Sequence, residues 1–79
     1  MYVVIVGAGE VGSTIAASLA DSHDVAVVDI DSHRIEELIY DIDVLGVEGD
    51  GAELDTLDEA NIEQADILIA STDDDETNI

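Results

Sequence analysis

Gly7-Ala8-Gly9-Glu10-Val11-Gly12 is the stretch of this 79-residue chain whose residue types and spacing point most directly to a chemistry. A G-x-G-x-x-G run alone is weak evidence, because glycines recur by chance. This one follows the apolar run Tyr2-Val3-Val4-Ile5-Val6 directly and opens a helix-like stretch, which is the strand–turn–helix setting of a dinucleotide-binding loop. Each glycine has its own physical role. Gly7 permits the tight turn out of the strand, Gly9 lets a pyrophosphate approach the backbone, and Gly12 lets the helix pack closely on the strand. The phosphates would then lie on the free N–H groups of residues 8–12 at the helix N-terminus, where the dipole is positive.

Further candidates lie at the ends of later apolar runs. Asp29 closes Asp-Val-Ala-Val-Val-Asp, 17 residues after Gly12, and Ile30 follows it. In a dinucleotide-binding unit this acid accepts hydrogen bonds from the adenosine ribose and repels a 2′-phosphate, which favours NAD(H) over NADP(H). The alternative is a solvated loop acid. Asp31 reads as a helix cap before a ligand group. Arg34 is the single basic residue of the chain; it is either an ion-pair partner or a guanidinium near the adenine or the phosphates. Gly49-Asp50-Gly51 is either a simple turn or a segment that brings Asp50 and Gly51 to the adenine edge. Thr72 and Asp73, after the fourth apolar run, are candidates for the second half of a dinucleotide, against the alternative of a helix start stocked with acids. His23 and His33 have no partner pattern. No nucleophile elbow, H-E-x-x-H pair or P-loop occurs, so no catalytic or metal-ligating residue is predicted.

The elements that must position these residues alternate. Strands are predicted at Tyr2–Val6, Asp24–Asp29, 44–48 and 65–70. Helices are predicted at Glu10–Ala20, with Val11, Ile15 and Leu19 on one face, from Asp31 or Ser32 through Ile35, Leu38 and Ile39, and at 53–61 with Leu54 and Leu57. A last helix is predicted to begin at Ser71-Thr72-Asp73. This order gives an α/β, Rossmann-like parallel sheet with helices on both faces and right-handed crossovers. Residues 1–79 read as the N-terminal part of such a domain, truncated after the fourth strand. That strand is expected to leave an open edge and to favour self-association.

Composition narrows the function. There are 21 acidic residues against one basic, a formal net charge of −20, while 47% of residues are apolar. The apolar content argues against disorder. Phosphate-based nucleic-acid binding needs Lys and Arg and is not expected. An acidic surface for a basic partner competes with adaptation to molar salt, where self-repulsion is screened; the second is the preferred reading. There is no cysteine. The start lacks a basic n-region and no run approaches bilayer-spanning length, so a cytoplasmic protein without direct membrane insertion is expected.

The segments Val-Val-Ile-Val-Gly-Ala-Gly-Glu-Val-Gly, Val-Val-Asp-Ile-Asp, Val-Glu-Gly-Asp-Gly and Ile-Ala-Ser-Thr-Asp-Asp-Asp-Glu-Thr-Asn together resemble the N-terminal (RCK or KTN) domain of TrkA-type proteins, the regulatory subunits of Trk/Ktr potassium uptake systems. The resemblance implies a regulator, not an enzyme, that binds NAD(H), or in some members ATP or ADP, and assembles as a homo-oligomer on a membrane potassium transporter subunit. Position by position it implies Gly7, Gly9 and Gly12 at the pyrophosphate, Asp29 at the ribose, Asp50 and Gly51 at the adenine, and Thr72 and Asp73 at the far phosphate and ribose. The acidity suggests a haloarchaeal member. The competing reading is the coenzyme half of an NAD-dependent dehydrogenase.

Overall fold

Strand β1 (Tyr2–Val6) runs down the middle of a four-stranded parallel sheet and is buried almost throughout, with Val3, Val4 and Ile5 at most 1% exposed. The computed structural model describes residues 1–71; Thr72, Asp73 and the last helix expected there lie outside the described residues. After β1 come α1 (Glu10–Ala20), β2 (Asp24–Asp29), α2 (Ser32–Asp41), β3 (Leu45–Glu48), α3 (Leu54–Glu59), a 3-10 turn (Ile62–Gln64) and β4 (Ile67–Ala70). The sheet order is β3-β2-β1-β4. The chain thus reverses its direction of travel across the sheet between β1 and β4, as in a Rossmann-like fold.

Alternation along the strands divides the core into two layers. Val3, Ile5, Val25 and Val27 pack with Ala16 of α1 and Ile35 and Leu38 of α2 on one face. Val4, Ala26, Val28 and Val47 pack with Ala60 and Ile62 on the other. Strands covered on both sides are apolar without interruption, which is why β1 and β2 stand out in the sequence.

The helices depart from expectation where close backbone approach outweighs apolar period. Val11 is 58% exposed; the buried residues of α1 are Gly12 and Ala16, with Ile15 and Leu19 half-buried beside them. A Cβ on Gly12 would stand 1.9 Å from the Gly7 carbonyl oxygen, so Gly12 must face β1. That turns Val11 outward. In α2, Ile35 and Leu38 are buried but Ile39 is 47% exposed. The Asp31 side chain caps this helix by accepting from the His33 N–H at 2.9 Å. The third helix is shorter than expected: it ends at Glu59, the chain turns through Asn61 in the left-handed region (φ 58°), and a 3-10 turn follows. Its buried residue is Thr56, whereas Leu54 is exposed. β3 and β4 also start later than predicted, at Leu45 and Ile67.

β4 pairs with β1 and, among the described residues, with no other strand. Its Ile67 and Leu68 are exposed. No helix among the described residues is long and apolar enough to cross a membrane.

Tyr2 ties the sheet to the 3-10 segment. Its hydroxyl donates to the Ala60 carbonyl, and its backbone N–H donates to Asp66 Oδ2 at 2.8 Å. Burial pushes its phenol above the ordinary value of 10.0, and the Asp24 carboxylate adds to this, opposed by a hydrogen bond with Asn61. A raised folded value means that the fold favours the neutral phenol. Its contribution is therefore complete below about pH 10 and is lost as pH rises through the folded value. Tyr2→Phe is expected to cost about 1 kcal/mol at neutral pH and to remove this alkaline loss. Chemical denaturation of both proteins at pH 8 and pH 11 measures the effect.

Candidate functional site

The carboxyl ends of all four strands converge on one cleft of about 560 Å³. Gly7 and Gly9 reach it from the end of β1, Asp29 and Ile30 from β2, Gly49, Asp50, Gly51 and Ala52 from β3, and Ser71 from β4; Arg34 of α2 closes one side. A crevice at the carboxyl ends, where strand order reverses, is where open α/β sheets bind ligands.

Backbone geometry builds the glycine loop. Gly7 has φ 111°, a conformation that side chains disfavour, and its N–H donates to the Val28 carbonyl at 2.7 Å. Gly9 is the N-cap of α1, in extended conformation and without a side-chain cap, so no side chain caps the helix start. Gly51 is constrained as well: a Cβ there would meet Val6 Cγ1 at 2.4 Å. Gly49 lies against the buried Thr56, whose Oγ1 would be 2.6 Å from an added Cβ. The loops after β1 and β3 are therefore fitted to β1 and α3 by small residues.

Asp29 is the electrostatic centre. Its side chain is only 9% exposed. Oδ2 accepts from the Ala8 N–H at 2.7 Å and Oδ1 from the Asp31 N–H at 2.8 Å. One carboxylate thus clamps the glycine loop to the start of α2. Carboxylate oxygens have further lone pairs, so a ribose hydroxyl could still donate to either. Arg34 Nη1 lies 3.8 Å from Asp29 Oδ2, and Arg34 Nε lies 3.8 Å from Asp31 Oδ2. The guanidinium is an ion-pair partner, the first of the two sequence alternatives, and it also forms part of the cleft wall. Asp50 Oδ1 accepts from the Ala52 N–H at 2.9 Å, which fixes the turn beside the cleft.

Gly7, Gly9, Asp29, Ile30, Arg34, Asp50 and Gly51, all singled out from the sequence, are brought together here. Ala8 departs from expectation: it is buried and its N–H donates to Asp29, so it is not among the free N–H groups expected for a phosphate. Gly12 supports the loop from beneath, while Glu10 and Val11 are exposed on the first turn of α1. Val6, Val28, Gly49, Ala52 and Ser71 also line the cleft and were not among the predicted ligand residues. For Val6, Val28, Gly49 and Ser71 the position at or next to a strand end was the signal available; Ala52, four residues past β3, carried none. Thr72 and Asp73 lie outside the described residues. Among the described residues no group of three or more His, Cys, Asp or Glu side chains is placed to hold a metal ion.

Sheet order, crossover pattern and glycine loop define a Rossmann-like domain of the nucleotide-binding kind. More narrowly, residues 3–79 match the TrkA-N domain, and the chain belongs to that family. It is 42% identical over 79 residues to a Trk system potassium uptake protein TrkA homolog of Archaeoglobus fulgidus, and 50% identical over 80 residues to the Trk system potassium uptake protein TrkA of Azorhizobium caulinodans. It is 41% identical over 80 residues to a TrkA homolog of Methanothermobacter thermautotrophicus. Each match covers the whole chain, but the chain spans only 18% of the first two relatives and 37% of the third.

Proposed function

We propose that this chain is the nucleotide-sensing part of a cytoplasmic regulatory subunit of a Trk-type potassium transport system, and that it binds NAD(H) in the cleft at the carboxyl ends of the strands. The observation that carries the reading is the meeting of the glycine loop and the clamped Asp29 carboxylate at the topological switch point. The pyrophosphate lies over the loop and the adenosine ribose donates to Asp29. Family membership and the printed names of the relatives support the link to potassium uptake.

The role is regulatory. A ligand that binds one arrangement of the assembled domains better than another shifts their populations, and the transporter subunit reads that shift. ATP or ADP can compete for the same cleft. Assembly into a homo-oligomer is part of this reading, and the exposed Ile67 and Leu68 of β4 are apolar surface that a neighbouring copy would cover.

Titration calorimetry with NADH in molar KCl tests the proposal. Saturable binding is expected. Asp29→Ala removes a charged acceptor from ribose and loop alike and is expected to weaken NADH by about 10- to 100-fold, matching about 1.5–3 kcal/mol for a hydrogen bond to a charged group. Binding absent from the folded protein, or unchanged in the variant, would overturn the reading.

A further inference from the structure

We propose that Glu10 makes this cleft selective by charge, admitting nucleotides whose phosphates are esterified at both ends and disfavouring those that end in a free phosphate. The inference rests on the nucleotide reading above and concerns which class of nucleotide the site holds.

The helix that would receive the phosphates begins with an acid. Glu10 is the first residue of α1, next to Gly9, which lines the cleft, and it is exposed. Its backbone N–H belongs to the positive helix end, yet its carboxylate opposes that end's attraction for anions. One basic residue lines the same cleft, and it is already paired with acids. The chain's single cation, Arg34, is held by Asp29 and Asp31 at the end of β2. Asp50 lines the cleft beyond β3. Two carboxylates, those of Asp29 and Asp31, thus hold the one guanidinium, and Asp50 and the neighbouring Glu10 add negative charge at and beside the cleft. Phosphate recognition falls to backbone N–H groups, which can satisfy the single charge on each phosphate of an internal pyrophosphate. A terminal phosphate monoester adds about −1.5 to −2, and this charge would develop close to Glu10.

The two classes therefore separate by Coulomb repulsion, which salt weakens: the screening length falls from about 8 Å at 0.15 M to about 3 Å at 1 M. An acid in the first turn also suits the helix dipole, so a merely helix-stabilising Glu10 is the alternative. That role predicts a change in stability and no change in ligand ranking.

The test measures affinities of NADH, ADP-ribose and ATP, with EDTA present to strip magnesium, for the wild-type protein and for Glu10→Gln and Glu10→Arg. Circular dichroism first establishes the lowest KCl at which each protein is folded. NADH and ADP-ribose are expected to bind comparably and ATP about tenfold more weakly. The gap narrows in Glu10→Gln and as KCl rises. Glu10→Arg strengthens ATP by about tenfold while changing NADH by less than about threefold. Equal binding of ATP and NADH by the wild type, or equal changes for both in Glu10→Arg, would overturn the selectivity and leave the nucleotide site standing. Folded wild-type protein that binds none of the three defeats the nucleotide reading, and the selectivity with it.

Discussion

Gly12→Ala is expected to abolish both the stable fold and nucleotide binding. The added Cβ would lie 1.9 Å from the Gly7 carbonyl oxygen and 3.0 Å from its carbonyl carbon. Both atoms are backbone, fixed by the Gly7 N–H bond to Val28 at 2.7 Å and by the central strand. No rotamer change relieves the clash, so α1 must move away from β1. That movement opens the core layer joining Ala16 to Val3, Ile5, Val25 and Val27. Overpacking of a good core costs about 1–3 kcal/mol, occasionally more, and a rigid backbone contact belongs at the upper end. A chain of this size holds only a small stability margin. Urea unfolding should show a loss of at least about 3 kcal/mol. Ser18→Ala, on the exposed side of the same helix, should stay within about 0.5 kcal/mol. A Gly12→Ala protein as stable as wild type would show that the loop and helix do not meet as described.

Lowering the salt is expected to unfold the wild-type domain. With a net charge of −20 and a radius of gyration of 11.5 Å, like charges lie about 20 Å apart on average, and each pair repels by about 0.2 kcal/mol in water. About 190 such pairs place the unscreened repulsion in the tens of kcal/mol, and doubling the separations on unfolding releases roughly half of it. This exceeds the about 5–15 kcal/mol that a domain has in hand. At 1 M KCl the screening length is about 3 Å and nearly all of this vanishes; at 0.01 M it is about 30 Å, comparable with the 36 Å long axis, and most remains. Circular dichroism should report a cooperative loss of structure as KCl falls from molar to millimolar. An unchanged spectrum would mean that proton or cation uptake neutralises much of the formal charge.

The sequence disclosed the fold most clearly where chemistry and geometry coincide. Uninterrupted apolar runs marked β1 and β2, and the glycine loop marked the turn between β1 and α1. Period alone misplaced the buried face of α1, because it gives weight to Val11 and none to the contact between Gly12 and Gly7. It also carried α3 past Glu59. The left-handed Asn61 and the bond from the Tyr2 hydroxyl to Ala60 decide where that helix stops, and the bond joins residues 58 apart in the chain. The same holds in the cleft. Asp29 was identifiable as an acid closing a strand, but its bond to the Ala8 N–H is a tertiary fact. That bond makes Asp29 a structural partner of the glycine loop as well as a ribose acceptor in the proposed complex.

The most direct test of the account is a residue-resolved titration of the ¹⁵N-labelled protein with NADH in molar KCl. The amides of Gly7, Ala8, Gly9, Glu10, Val11 and Gly12, together with those of Ile30, Asp31, Asp50 and Gly51, should shift saturably. Those of Glu36, Glu37 and Tyr40 on the outer side of α2 should not. Shifts confined to other surfaces, or none at saturating NADH, would contradict the placement of the nucleotide over the glycine loop.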